Sequence, residues 1–203
     1  MTIKAGDKVP PATFTQMKDG KPTPLTGDEL FAGKTVALFA LPGAFTPTCS
    51  AKHVPGYVQN FDALKAKGVD AIACVSVNDA FVMGAWGKDQ GAGDKVLMLA
   101  DGNGDFTRAM GLEFDASKFG MGKRSQRYSM VVKNGVVKSL NVEEPGAFDV
   151  SSAEHMLSSG ELVAPWWGAV LLRCEFVGHT HVRPYAPCGL LLTSQNSSRR
   201  DCG

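Results

Sequence analysis

The amino-acid sequence predicts an α/β domain built on a mixed central sheet with helices on both faces. Three observations carry this reading. Thr35–Leu41 and Val69–Val77 are continuous apolar runs, as expected of strands buried on both sides. Between them Val54, Tyr57, Val58, Phe61 and Leu64 recur at helical spacing, so a helix separates the two strands. Further on, Arg127–Lys133 and Val136–Val142 flank Asn134-Gly135, the clearest hairpin signal in the chain.

Taken in order, residues 1–34 are rich in turn formers, with Pro10-Pro11, Asp19-Gly20, Pro22 and Pro24. Alternation over Ala12–Met17 predicts a short strand that Asp19-Gly20 turns into a hairpin. After the first buried strand, Pro42-Gly43 halts the chain. A helix is predicted from about Pro47 to Lys67, kinked at Pro55 and ended by Gly68. Asn78-Asp79 caps a helix over Ala80–Lys88. Val96–Ala100 is a third strand, followed by the turn at Asp101–Gly104 and a short helix to about Met110. Residues 111–126 read as Gly-rich and irregular. Ser151 or Ser152 caps a closing helix to about Leu157, with Glu154 in its first turn. Strands alternating with helices, then an antiparallel hairpin and a last helix, follow the order of a thioredoxin-like fold.

The chain has 203 residues, enough for one domain with a sizeable core, or one domain with an appendage. Lys and Arg number 21 against 20 Asp and Glu, so no global charge argues for nucleic acid or an anionic membrane. The N-terminal segment shows no apolar signal core, and no apolar run approaches the ~18 residues of a membrane span. Five cysteines, irregularly spaced, do not form a secreted disulfide pattern. A soluble, cytoplasmic protein is expected, with neither nucleic acid nor membrane as partner.

The chemistry centres on Cys49. It stands where a strand has ended and a helix begins, where free N–H groups and the helix dipole stabilise an anion. Such a thiol becomes a nucleophile near neutral pH. Spacing separates three chemistries. A disulfide exchanger needs Cys-x-x-Cys, but Thr46 and Lys52 stand three residues either side. A cysteine phosphatase needs Arg six residues on, where Pro55 stands. Peroxide reduction needs a thiolate, a hydrogen-bonding hydroxyl and a cation from elsewhere in the chain, and only this pattern is compatible with the residues present.

Pro42-Gly-Ala-Phe-Thr46-Pro-Thr-Cys49-Ser, followed by Lys52-His-x-Pro-Gly56, resembles the peroxiredoxin signature in its type II (atypical, class 5) form. Ala73–Phe81, Arg127–Val132 and Leu140–Glu143 are also similar to that subfamily, and the resemblance runs from about residue 3 to 158. It implies a thiol-dependent peroxidase acting on hydrogen peroxide and alkyl hydroperoxides, without cofactor or metal. Cys49 is then the peroxidatic cysteine, passing through a sulfenic acid. Thr46 hydrogen-bonds the peroxide, Pro42 shields the thiolate, and Arg127 completes the site with a fixed charge. Val150–Ser152 stands where some relatives carry a resolving cysteine. Cys74 matches the second cysteine of plant members and is either a resolving thiol or an inert core residue. The expected reductant is therefore an external thiol, glutathione with glutaredoxin or else thioredoxin. His53, one helical turn beyond Cys49, either orients the site or packs against it. The resemblance also makes Phe45, Phe81 and Phe119 candidates for a homodimer contact. A non-enzymatic reading is a redox sensor or chaperone-like protein switched by Cys49 oxidation; sustained turnover separates the two.

The domain is expected to span 1–159, with an atypical tail at 160–203. There the periodicity lapses and the composition changes, and the segment reads as the product of a shifted frame, retained intron or alternative exon, and as disordered. Cys174, His179, His181 and Cys188 match no zinc spacing, and Cys202 is a further thiol that an arm of this length carries.

Overall fold

The computed structural model describes residues 1–160 and Leu162; the rest of the 160–203 tail, with its cysteines and histidines, lies outside the described residues. Asp19 and Gly20, at φ 50° and 76°, turn β1 (Thr13–Lys18) into β2 (Lys21–Thr26). β2 forms a sheet edge, where Pro22 and Pro24 lack N–H groups at little cost to the ladder. A short helix, α1 (Gly27–Phe31), follows where the sequence reading saw only turns. Thr26 and Glu29 form its capping box, each side chain meeting the other's backbone N–H.

β3 (Thr35–Ala40) is the predicted buried strand, and its alternation divides the core. Ala37 and Phe39 face one layer, while Val36, Leu38 and Ala40 face the other. The helical segment then begins at Pro47, as predicted, but the chain does not approach Pro55 through a regular α-helical turn. Instead a wide π-helical turn, Cys49–His53, closes with the Val54 N–H on the Cys49 carbonyl and leads into α2 (Val54–Gln59). Pro55 has no N–H to donate and its ring would strike the carbonyl of Ala51 in a regular turn; the wider turn ahead of it removes that conflict. A break in the helix falls at Asn60, φ −90° and ψ 12°, before α3 (Phe61–Ala66).

β4 (Ala71–Ser76) runs parallel to β3 and repeats its alternation, with Ile72 and Cys74 in the first layer and Ala73 and Val75 in the second. Asp79 caps α4 (Ala80–Asp89) by accepting from the Val82 N–H. β5 (Leu97–Ala100) and α5 (Asp105–Ala109) follow. The region read as irregular holds a two-stranded ribbon, β6 (Glu113–Asp115) and β7 (Lys123–Ser125). Asn134 and Gly135, at φ 49° and 74°, close the predicted hairpin of β8 (Tyr128–Lys133) and β9 (Val136–Val142). Ser152 is the cap of α6 (Ala153–Ser158), accepting from the His155 N–H.

The main sheet has the order β2-β1-β5-β4-β3-β8-β9, with β3, β4 and β5 parallel and the remaining pairings antiparallel. Tyr57, Leu64, Met83, Trp86 and Met156 of α2, α3, α4 and α6 cover one face. Leu30, Phe31 and Phe106 of α1 and α5 cover the other. This is the thioredoxin-like architecture expected, with helices on both sides. Leu162, three residues past the expected domain boundary, is 5% exposed and packs into the first layer.

Candidate active site

The chain leaving β3 runs through Leu41–Thr46 before the helical segment starts. Phe45 lies in the left-handed region at φ 61°, a conformation that costs a non-glycine residue about 1–3 kcal/mol and needs support from its surroundings. The support is visible. The Ala44 N–H donates to Asn78 Oδ1 at 3.0 Å, the Thr46 hydroxyl donates to the Gly43 carbonyl at 2.9 Å, and the Ser50 N–H donates to the Thr46 carbonyl at 3.0 Å. Thr46 thus spends its proton on Gly43 and keeps its lone pairs to accept from a ligand. Pro42 is half-buried at the start of this loop.

Cys49 is fully buried at the first position of the π-helical turn. The cation comes from across the sheet. β8 pairs with β3 so that Tyr128 stands opposite Ala40, which sets Arg127 beside the chain as it leaves β3. Arg127 Nη1 donates to Cys49 Sγ at 3.4 Å and also to His53 Nδ1 at 3.1 Å. Its guanidinium lies 5.7 Å from the centre of the Phe148 ring. Three of the residues singled out from sequence, Cys49, Thr46 and Arg127, therefore meet around one loop and one turn.

His53 belongs with them, which spacing alone left open. Its Nε2 faces the carbonyl of Ser151 at 3.1 Å, so Nε2 carries the proton and Nδ1 is free to accept from Arg127. Burial, reinforced by the Arg127 charge, pushes the imidazole down to about 3, against the opposing pull of Ser151. The ring is neutral at physiological pH and acts as a fixed acceptor. Tyr57 Oη donates to the same Ser151 carbonyl at 3.0 Å. Ser151 is fastened in turn by Glu143, whose Oε1 accepts from the Ser151 N–H at 2.8 Å and hydroxyl at 2.7 Å. Burial raises the Glu143 carboxyl, but donors from Asp149 and Ser151 outweigh it and hold the group below its ordinary value. Glu143 was legible only as part of the Leu140–Glu143 motif, and its task was not.

One more side chain steadies the turn from α4. Trp86 is fully buried and donates from Nε1 to Ser50 Oγ at 3.0 Å. Its ring centre is 6.3 Å from that of Phe45. Cys74 lies on β4 in the same core layer as Cys49 and is fully buried; burial, and then the neighbouring Cys49, push its thiol up.

A buried cysteine on a thioredoxin-like sheet, with a guanidinium donating to its sulfur and no Cys-x-x-Cys in the sequence, points to a thiol-based oxidoreductase of the peroxide-reducing class. Comparison with known proteins agrees. The redoxin family profile matches residues 4–157. Rice chloroplastic peroxiredoxin-2E-2 is 56% identical over 163 residues, 78% of this chain and 72% of that one. Arabidopsis peroxiredoxin-2B is 46% identical over 158 residues, 77% of this chain and 98% of its own. Reduced Prx3 from Vibrio vulnificus, solved in complex with hydrogen peroxide, superposes with a TM-score of 0.75 at 56% identity, covering 78% of this chain and 99% of that one. The chain belongs to the redoxin family and, within it, to the type II peroxiredoxins. It is a thiol-dependent peroxidase, an oxidoreductase that takes a peroxide as substrate and a thiol as reductant.

Proposed function

We propose that Cys49 is the peroxidatic cysteine and that Thr46, Arg127 and Pro42 complete its site. The thiolate sulfur attacks one oxygen of ROOH, the S–O bond forms as the O–O bond breaks, and the leaving oxygen takes a proton and departs as ROH. Cys49 is left as a sulfenic acid. The Thr46 hydroxyl accepts from the peroxide O–H, and Arg127 stabilises charge first on sulfur and then on the departing oxygen. Pro42, having no N–H, limits the entry of water beside the sulfur. The observation that carries this reading is the Arg127 Nη1 placed 3.4 Å from Sγ and fixed on its other side by His53.

The substrates proposed are hydrogen peroxide and small alkyl hydroperoxides. The sulfenic acid is reset from outside: one thiol forms a mixed disulfide with Cys49 and releases water, and a second thiol displaces Cys49 as a free thiol. Glutathione with glutaredoxin, or thioredoxin, supplies these. Full burial of Cys74 and the upward push on its thiol favour an external reductant over an internal bond. Phe45, Phe81 and Phe119 are 55%, 65% and 70% exposed, large apolar surfaces that support a homodimer contact. Sedimentation of wild type and Phe81→Asp tests this: a dimer converted to monomer is expected, and a wild-type monomer at micromolar concentration overturns it.

The central test is peroxide consumption by wild type and Cys49→Ser, with glutaredoxin and thioredoxin supplied separately. Wild type turns over repeatedly with at least one of them, and Cys49→Ser does not. Activity surviving in Cys49→Ser would overturn the assignment. A Cys49–Cys74 disulfide found by peptide mapping during turnover would overturn the external reset.

A further inference from the structure

The β6–β7 ribbon carries a positive charge that the peroxide chemistry leaves unused. Asp115 stands opposite Lys123, and Phe114 opposite Arg124. Strand alternation therefore sends Lys123 to the face of Glu113 and Asp115, whose carboxylates lie 3.6 and 3.0 Å from its Nζ, and Arg124 to the other face. Among the described residues no carboxylate lies within ion-pair distance of Arg124. Its Nε donates to the Met121 carbonyl at 2.8 Å and its Nη1 to the Val77 carbonyl at 2.7 Å. Both acceptors are neutral, so the guanidinium is oriented without being cancelled. Nη2 has no hydrogen-bond partner among the described residues, and Arg124 is half-buried.

The location matters as much as the charge. A Cβ placed on Gly43 would lie 3.4 Å from Thr46 Cγ2, 3.6 Å from Arg124 Nη1 and 3.8 Å from Asn78 Oδ1. One point on the Cys49 loop thus touches both the residue offered to the peroxide and this second guanidinium. Arg127 is committed to Cys49 and His53; Arg124 is committed to neither.

We propose that Arg124 is an anion-recognition residue at the mouth of the Cys49 site, taking the carboxylate of an incoming reactant. That carboxylate belongs either to the thiol that resets the sulfenic acid or to an organic hydroperoxide that bears one. A guanidinium already pinned at two nitrogens loses little freedom on binding, and Nη2, which has no partner among the described residues, offers charge-assisted hydrogen bonds to a carboxylate oxygen. Hydrogen peroxide carries no such group and does not call on it. The proposal rests on the reading that Cys49 cycles through a sulfenic acid.

The test uses the full chain as wild type, Arg124→Gln and Arg124→Lys, and measures two ratios of second-order rate constants. The first compares glutathione with uncharged 2-mercaptoethanol as reductant. The second compares linoleic acid hydroperoxide with its methyl ester as substrate. In Arg124→Gln the charged-to-neutral ratio falls about tenfold in at least one pair, and Arg124→Lys keeps more of it than Gln does. The pair that responds identifies the source of the carboxylate. In wild type the same ratio falls as salt is raised, a measurement that stands even if a variant misfolds. Equal losses for charged and neutral partners, or a salt-independent ratio in both pairs, overturn the proposal. A wild type inactive with every peroxide and thiol overturns the reading of Cys49 beneath it.

Discussion

His53 shows how much of this site is set by a single proton. The unfolded chain protonates a histidine near 6.5, whereas the folded protein refuses that proton until about pH 3. Stability contributed by the neutral ring is fully present above pH 6.5 and is lost as pH falls from there toward 3, at up to about 1.4 kcal/mol per pH unit. Urea titrations at pH 7, 6, 5 and 4 are expected to show this slope in wild type and a shallower one in His53→Gln. The same pair of residues sets the kinetics. Gln keeps an acceptor for Arg127, whereas His53→Leu leaves the guanidinium short of one, so kcat/KM for peroxide should fall about tenfold or more in Leu and less in Gln. For the residues proposed to contact peroxide the expected loss is larger. Arg127→Gln is expected to cost roughly 10²–10³ in kcat/KM, and Thr46→Val a comparable factor, with Thr46→Ser close to wild type. Stopped-flow peroxide reduction reads all of these, and a wild-type rate in Arg127→Gln would remove the cation from the mechanism.

At the scale of elements, the π-helical turn is held by α4 as well as by its own backbone. Ser50→Ala leaves the buried Trp86 N–H without an acceptor, at a cost of about 1–3 kcal/mol in unfolding free energy. Urea denaturation should show that loss; an unchanged midpoint would mean the indole finds another partner. The same turn marks where the sequence was readable and where it was not. The buried strands announced themselves because both faces of β3 and β4 are apolar, and Asn134-Gly135 fixes its hairpin by conformations that Asn and Gly tolerate. Cys49 stood out from its place at a strand-to-helix junction, whereas Arg127 and the role expected of Thr46 came from the family resemblance, because Arg127 lies 78 residues away. Pro55 was read as a kink because a proline breaks the α-helical ladder; that the chain would widen the preceding turn depends on tertiary packing that no local rule contains. α1 was missed although Thr26 and Glu29 spell a capping box, since Gly27 and the nearby prolines weigh toward turn. The β6–β7 ribbon was invisible: its strands are three residues long, too short for a period to show. The task of His53 needed Arg127 and Ser151 in place, contacts spanning 74 and 98 residues.

For the whole molecule, the two core layers meet on β3, and residues up to Leu162 close them. A chain ending at Leu162 is expected to unfold in one cooperative transition and to retain peroxide turnover; a molten, inactive product would show that the core needs residues further on. Both lateral edges of the sheet are also partly blocked. At one end Pro22 and Pro24 withhold N–H groups from β2. At the other, the N-terminal segment lies against the start of β9, with Gly6 N–H on the Val137 carbonyl, Val137 N–H on the Asp7 carbonyl and Val9 N–H on the Gly135 carbonyl. The β2 edge therefore offers few free N–H groups to a strand from a second copy. Reopening the first edge with Pro22→Thr and Pro24→Thr should turn a clear concentrated solution into one that scatters light on standing. The two prolines that look like turn punctuation are, on this account, a guard against aggregation.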